Sequence, residues 1–377
     1  MPDVTKDVAA TYRMKPPDLD RLLQSLQAED YELIGPTVRN QAIVVAGIEG
    51  IADLPVGIRD SHQRGRYRLT PRSDSALFGY VAGPDGWKRH LHAPRQVLFT
   101  ARSTQDGLRF IPPDPPAIPR RAFVGVRACD LAAILNQDRF LQDGAVQDPS
   151  YVAHRRNLFV IAVNCTEPGA HCFCGSMNTG PRARTGYDVL LTELIDGGDH
   201  RLVAESGTDE GRDRLEGLGI SLASREDVSD SKKRVAEARQ RMGRELRTTD
   251  LRGLLSASLE HPRWDDVETR CLACGNCTAV CPTCFCTTIE DETDLDGRES
   301  QRIQLWDSCF SLAFSYMHGG PSRVSVRSRY RQWLTHKFGS WVDQVGVSGC
   351  VGCGRCITWC PAGIDVTEEL AAIQGKG

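Results

Sequence analysis

Two copies of one cysteine pattern, C-x2-C-x2-C-x3-C-P, lie in the C-terminal part of this 377-residue chain. The first is Cys271, Cys274, Cys277, Cys281 and Pro282; the second is Cys350, Cys353, Cys356, Cys360 and Pro361. Three thiols at i, i+3 and i+6 can wrap three corners of one cube as an irregular turn. The fourth comes three residues later, and the following proline carries it away because it cannot continue the local hydrogen bonding. This is the bacterial two-cluster spacing for [4Fe–4S] centres, in which each motif's fourth cysteine ligates the other cluster. Cys271, Cys274, Cys277 and Cys360 are therefore expected to hold one cluster, and Cys350, Cys353, Cys356 and Cys281 the second. Gly275, Gly349, Gly352 and Gly354 sit in or beside the motifs, where a missing side chain lets backbone N–H groups approach sulfur. Zinc ribbons prefer two separated C-x2-C pairs, and a disulfide scaffold does not repeat with a terminal proline.

Composition narrows the setting. Hydrophobic residues make up 40% and charged residues 25%, as in an ordinary globular protein with room for two or three domains. A formal charge of −3 gives no reason to expect nucleic acid or an anionic membrane as partner. The first residues, MPDVTKDVAATYRMKPPD, lack an apolar targeting core, and no run is long enough for a transmembrane segment. Fifteen cysteines in metal-type spacings fit a reducing cytoplasm.

The expected fold class is an α/β N-terminal domain, with a parallel or mixed sheet, followed by an α-helical ferredoxin-like dicluster domain. Leu19–Gln27 reads as a short amphipathic helix and Tyr31–Ile48 as strand. Residues 1–120 form an N-terminal α+β region that ends in a proline-rich strap at Ile111–Pro119. Residues 121–223 form an α/β unit: RAFVGV (Arg121–Val126) is a buried strand, Asp130–Leu141 a helix that Asp130 is placed to cap, and LFVIAV (Leu158–Val163) a second, parallel strand. Asp188–Leu194 supplies a further strand. Residues 224–253 are a charged helical connector, and 254–377 the two-cluster domain. The 68 residues between the motifs, with helical text at Ser308–Tyr316 and Arg327–Lys337, favour helix over a small β-rich ferredoxin.

Seven cysteines remain: Cys129, Cys165, Cys172, Cys174, Cys284, Cys286 and Cys309. Cys129 and Cys165 follow the two core strands, at the carboxyl ends where open α/β sheets bind ligands. Cys172 and Cys174 lie in the next loop, NCTEPGAHCFCGSMNTGP. Convergence of these four at one sheet edge predicts a third [4Fe–4S] cluster. The competing readings are buried small hydrophobes, a zinc loop or a redox-active thiol, and His171 is read as a loop histidine beside Cys172. Cys284 and Cys286 echo the C-F-C run, so a third cluster could instead sit on them with Cys309. The simpler account packs them as free thiols around the first cluster.

The runs VGVRACDLAAI, NCTEPGAHCFCGSM, CLACGNCTAVCPTCFCTT, WDSC and GCVGCGRCITWCPAGIDV together resemble the beta subunit of cytoplasmic sulfhydrogenase-type, NAD(P)-coupled NiFe hydrogenases. They are also similar to the electron-input subunit of anaerobic sulfite reductase. The resemblance covers about Leu54 to Val366. It implies an iron–sulfur electron-transfer subunit, not itself catalytic, whose partners are the hydrogenase large and small subunits and a flavin/NAD(P)-binding subunit. The family carries cysteines matching Cys129, Cys165, Cys172 and Cys174, in keeping with the third cluster. Two other functions fit the same residues: electron input to a sulfite reductase, or a sulfur- or polysulfide-reducing site of its own at Cys129 or Cys165. The chain shows no GxGxxG between strand and helix and no P-loop, so nicotinamide and hydrogen sites are expected on partners.

Overall fold

The computed structural model describes residues 10–81, 83–113 and 118–375, so part of the proline-rich strap lies outside the described residues. The elements of the first half are β1 (Thr11–Met14), α1 (Pro16–Gln27), β2 (Tyr31–Arg39), β3 (Ala42–Gly47), β4 (Ile58–Gln63), β5 (Arg66–Pro71), α2 (Lys88–Leu91), β6 (Arg95–Thr104) and β7 (Gly107–Ile111). Next come β8 (Arg120–Arg127), α3 (Ala128–Leu141), α4 (Pro149–Arg156), β9 (Leu158–Val163), β10 (Val189–Asp196), β11 (Asp199–Ser206), α5 (Asp209–Gly217) and α6 (Arg225–Gln240).

A seven-stranded mixed sheet in the order β1-β11-β10-β9-β8-β2-β3 forms the centre. Strands β2, β8, β9 and β10 are mutually parallel, and the outer pairings are antiparallel. Alternation along β8 and β9 explains why both faces are covered. Ala122, Val124, Phe159, Ile161 and Val163 join a core with Leu19, Leu22, Leu23 and Leu26 of α1. Phe123, Val126, Val160 and Ala162 face the other way, onto Leu131 and Ile134 of α3. Gly125, at φ +84°, sits where the β8–β9 register shifts; this bulge puts Val126 on the same face as Phe123. Helix α6 is more than a solvated connector, since it buries Asp227, Ser231, Val235 and Ala238.

The remaining chain contributes α7 (Leu251–Ala257), α8 (Arg263–Arg270), α9 (Asn276–Ala279), β12 (Thr287–Thr293), β13 (Glu299–Trp306), α10 (Val326–Thr335), a π-turn (His336–Ser340), α11 (Trp341–Val345), α12 (Arg355–Thr358) and α13 (Val366–Ile373). Its core gathers Trp264, Val267, Tyr330, Trp333, Leu334, Phe338 and Leu370. The inter-motif segment is only partly helical. Arg327–Lys337 forms α10 and enters the π-turn, but TTIEDET and ESQRIQLW form a hairpin added to β6 and β7, in the order β12-β13-β6-β7. Ser308–Tyr316 is turn, not helix. There the Ser308 hydroxyl accepts from Phe310 N at 3.1 Å and bonds the Thr278 hydroxyl at 2.7 Å, a local bonding pattern that competes with helix.

Asp130 does not cap α3: the helix begins at Ala128, and Arg127 at the cap position makes no side-chain capping bond. Instead Asp130 accepts two bonds from Arg355 of the second cysteine motif, at 2.6 and 2.9 Å, with both side chains 1–2% exposed. Removing one member strands the other in a low-dielectric interior, which costs about 3–5 kcal/mol, whereas removing both is far milder. Arg355→Leu should therefore lower the urea midpoint of the whole chain strongly, and Asp130→Leu/Arg355→Leu should recover most of the loss.

Candidate iron–sulfur sites

The first site is built by a tight loop after α8. Ala273 (φ +51°) and Gly275 (φ +74°) are both left-handed, and the turn they make brings Cys271, Cys274 and Cys277 to one cavity. Cys360 of the second motif lines the same cavity, together with Phe310, Tyr330, Trp333, Ile364 and Val366. Cys360 thus reaches the cavity formed by the other motif's first three cysteines. Backbone N–H groups already point at sulfur: Ala273 N lies 3.4 Å from Cys271 Sγ, and Ile364 N lies 3.3 Å from Cys360 Sγ. The buried Tyr330 hydroxyl and Trp333 indole N–H have no partner among the described residues, although both residues line the cavity. Orphaned donors are costly without an acceptor, and cluster sulfur is such an acceptor. Cys274 is exposed and Leu272 is 68% exposed, so this site opens to the surface.

The second motif repeats the geometry. Gly352 (φ +66°) and Gly354 (φ +76°) turn the chain, and Gly352 N lies 3.3 Å from Cys350 Sγ. Cys281, Cys350, Cys353 and Cys356 are near enough that the others raise the proton affinity of Cys356, on top of its burial. Burial pushes the Cys350 thiol up to about 12. Cys281 is the exception: a hydrogen bond from the Cys284 thiol, and then the Lys337 ammonium, hold it well below an ordinary thiol.

Cys129, Cys165, Cys172 and Cys174 line one further cavity, with Val81, Arg127, Pro168, Pro181 and Met242. Cys129 lies in the first turn of α3, after β8, and Cys165 lies two residues after β9, so the inferred parallel strands do bring them to one sheet edge. Burial, and next the Asp130 carboxylate, push the Cys129 thiol well up; burial pushes Cys172 up to about 12. Such thiols stay protonated unless a metal displaces the proton. Arg127 is buried beside them, with Nη1 3.8 Å from Cys165 Sγ and Nη2 donating to the Phe78 and Tyr80 carbonyls at 2.5 and 2.7 Å. His171 is turned away: Nδ1 bonds the Thr358 hydroxyl at 2.8 Å, and its ring packs on His62.

Among the described residues, no three Cys, His, Asp or Glu side chains close on a point that would hold a single ion. The thiols ring cavities instead, which fits a multi-iron cube better than zinc. Cys284, Cys286 and Cys309 do not join the third cavity. Cys309 packs into the apolar core that surrounds the first site, and Cys284 lies against Cys281.

Several residues at these sites gave little sequence signal. Arg127 and Arg355 lie inside recognisable motif runs, as a basic residue ending an apolar strand and one between motif cysteines. Lys337 looked like one more charge on a polar helix, yet it is 5% exposed. Lys88 is 7% exposed and donates to the Cys284 carbonyl at 2.8 Å.

The second and third sites meet through glycine. A Cβ on Gly352 would fall 2.6 Å from Cys174 N, and one on Gly354 would fall 2.3 Å from the His171 carbonyl. Gly352→Ala adds this clash to a left-handed backbone, itself worth about 1–3 kcal/mol. The variant should show a lowered melting temperature and reduced iron per chain by metal analysis, with the first site the least affected.

Residues 270–364 match the family described as 4Fe-4S dicluster domain. The chain is also 31% identical over 257 residues to sulfhydrogenase 2 subunit beta of Pyrococcus furiosus, an alignment covering 66% of this chain and 73% of that protein. The aligned length is well over that of the matched dicluster domain. With both C-x2-C-x2-C-x3-C-P motifs inside the matched dicluster domain, the chain belongs to the sulfhydrogenase beta-subunit family.

Proposed function

We propose that this protein is the electron conduit of a cytoplasmic NiFe hydrogenase complex, with three [4Fe–4S] clusters in a row. Its partners would be the hydrogenase large and small subunits and a flavin/NAD(P)-binding subunit, with a second acceptor at the other end. Cys271, Cys274, Cys277 and Cys360 would hold the first cluster, Cys281, Cys350, Cys353 and Cys356 the second, and Cys129, Cys165, Cys172 and Cys174 the third. Bound there, each cluster supplies one-electron transfer.

One observation carries this reading. Cys356, a residue of the second site, also lines the first cavity, and Cys353, another, lines the third. The middle site therefore shares a wall with each neighbour. The protein's part is to hold the three thiol sets at fixed separation and keep water from them. Phe310, Tyr330 and Trp333 do this at the first site, and Val81, Pro168, Pro181 and Met242 at the third. The exposed Cys274 edge offers one end of the row to a partner. Among the described residues no helix is long and apolar enough to cross a membrane.

Iron and acid-labile sulfide, each counted with zinc alongside, test the assignment. The anaerobically purified protein should hold about twelve iron atoms per chain, against about eight for a two-cluster ferredoxin. Cys165→Ser should remove or convert one cluster, seen as loss of about a third of the iron or a changed EPR signal. A wild-type count near eight, unaltered by Cys165→Ser, would leave the twin motif standing and remove the third cluster.

A further inference from the structure

Lys337 is a buried cation with no carboxylate in salt-bridge reach among the described residues. It lies in the π-turn after α10, an irregularity often found at functional sites. Its Nζ meets three acceptors: Thr283 Oγ1 at 3.0 Å, the Gly349 carbonyl at 3.2 Å and Cys281 Sγ at 3.3 Å. The Thr283 hydroxyl donates its own proton to the Gly349 carbonyl at 2.6 Å, so toward Lys337 it accepts. Three acceptors match the three N–H donors of an ammonium group. Lys88 approaches the same loop from the other side. Its Nζ lies 2.8 Å from the Cys284 carbonyl, 3.3 Å from the Cys281 carbonyl and 4.0 Å above the Trp306 ring. Among the described residues neither lysine forms an ion pair with an acidic side chain, although such pairs run from Arg13–Asp199 near the start of the chain to Arg355–Asp130 in the second motif.

Charges taken out of water this completely need an anion nearby. The Asp130–Arg355 pair shows how the same interior satisfies a cation where a carboxylate is available. At Lys337 the anion on hand is the thiolate set of the second site. The first site differs: among the described residues no lysine or arginine lines its cavity, and the cation that acts on Cys271, Arg329, spends Nη1 on the Phe310 carbonyl and makes no hydrogen bond to sulfur. A thiolate-ligated cluster gains one more negative charge on reduction. A fixed cation against its ligand therefore favours the reduced form, and net charge around a cluster is among the factors that set its potential.

We propose that Lys337, supported by Lys88, is a tuning residue that raises the reduction potential of the middle cluster above that of the surface-facing first cluster. Electrons entering at the Cys274 edge then run downhill to the centre of the row, and this end works as the inlet. The inference rests on the second site holding a cubane through Cys281, Cys350, Cys353 and Cys356.

An EPR-monitored redox titration of the iron-loaded full chain tests it, with Cys350→Ser identifying the middle cluster by the signal it removes. In Lys337→Gln with unchanged iron content, that one signal should move to more negative potential, while the others stay in place. At the wild-type midpoint its reduced-to-oxidised ratio should fall about tenfold, equivalent to ~59 mV for a one-electron couple. Lys337→Arg, which keeps the charge, should titrate close to wild type. Unmoved potentials in the iron-replete Gln variant, or an equal shift in the Arg variant, would overturn the proposal. If Lys337→Gln loses iron, Lys88→Gln serves instead: a negative shift of the same signal supports the proposal, and none overturns it. A Cys350→Ser protein that keeps every wild-type signal would instead defeat the underlying assignment of the second site.

Discussion

The packing of the second cysteine motif against the Cys172–Cys174 loop is the contact on which the rest of the molecule depends. Phe173 N donates to the Gly352 carbonyl at 2.8 Å, and the Phe173 ring, fully buried, belongs to the core of the C-terminal half. The flanking thiols of Cys172 and Cys174 stay behind to line the third cavity. One three-residue run thus anchors the sheet to the dicluster fold and furnishes half of a cysteine set. Without side chains at Gly352 and Gly354 the two backbones approach closely enough to make that contact. The Asp130–Arg355 pair and the bond from the Thr179 hydroxyl to the Val351 carbonyl, at 2.6 Å, lie along the same seam.

This seam gives the chain its functional order. A minimal dicluster ferredoxin holds its two sites within one small domain. Here a doubly covered sheet presents two cysteines at strand ends and two more in a loop, and the seam sets all four beside Cys353. The buried basic residues follow the same line: Arg127 faces the third set, Arg355 is neutralised by Asp130, and Lys337 and Lys88 flank the middle one. Buried charge is expensive, so its concentration along the row of thiols marks where negative charge belongs in the working protein.

Much of the local structure was legible beforehand. The apolar runs Arg121–Val126 and Leu158–Val163 form adjacent parallel strands, and Cys360 of the second motif lines the cavity of the first. Two readings failed for physical reasons that a local window does not contain. Asp130 looked like a helix cap because a carboxylate near a helix start usually is one, but an arginine 225 residues away competes for it. The inter-motif insertion looked helical by its length and by the runs Ser308–Tyr316 and Arg327–Lys337, of which only the second is helix. Thr287–Thr293 and Glu299–Trp306 form a hairpin because β6 supplies an edge to extend, and Arg102–Glu299 and Arg302–Asp291 pairs line the resulting sheet.

The sequence by itself determined the chemistry: eight thiols at spacings that suit a cube, two more at strand ends and two in the loop that follows, all pointing to one sheet edge. Short-range geometry settles such things, since residues three apart have little freedom in where their side chains go. Tertiary structure alone decided that the middle site shares a wall with both neighbours, that Lys337 is a buried cation, and that Cys284, Cys286 and Cys309 stay out of the third cavity. Those features rest on contacts between residues tens to hundreds of positions apart, and no local pattern encodes which distant side chain will fill the space.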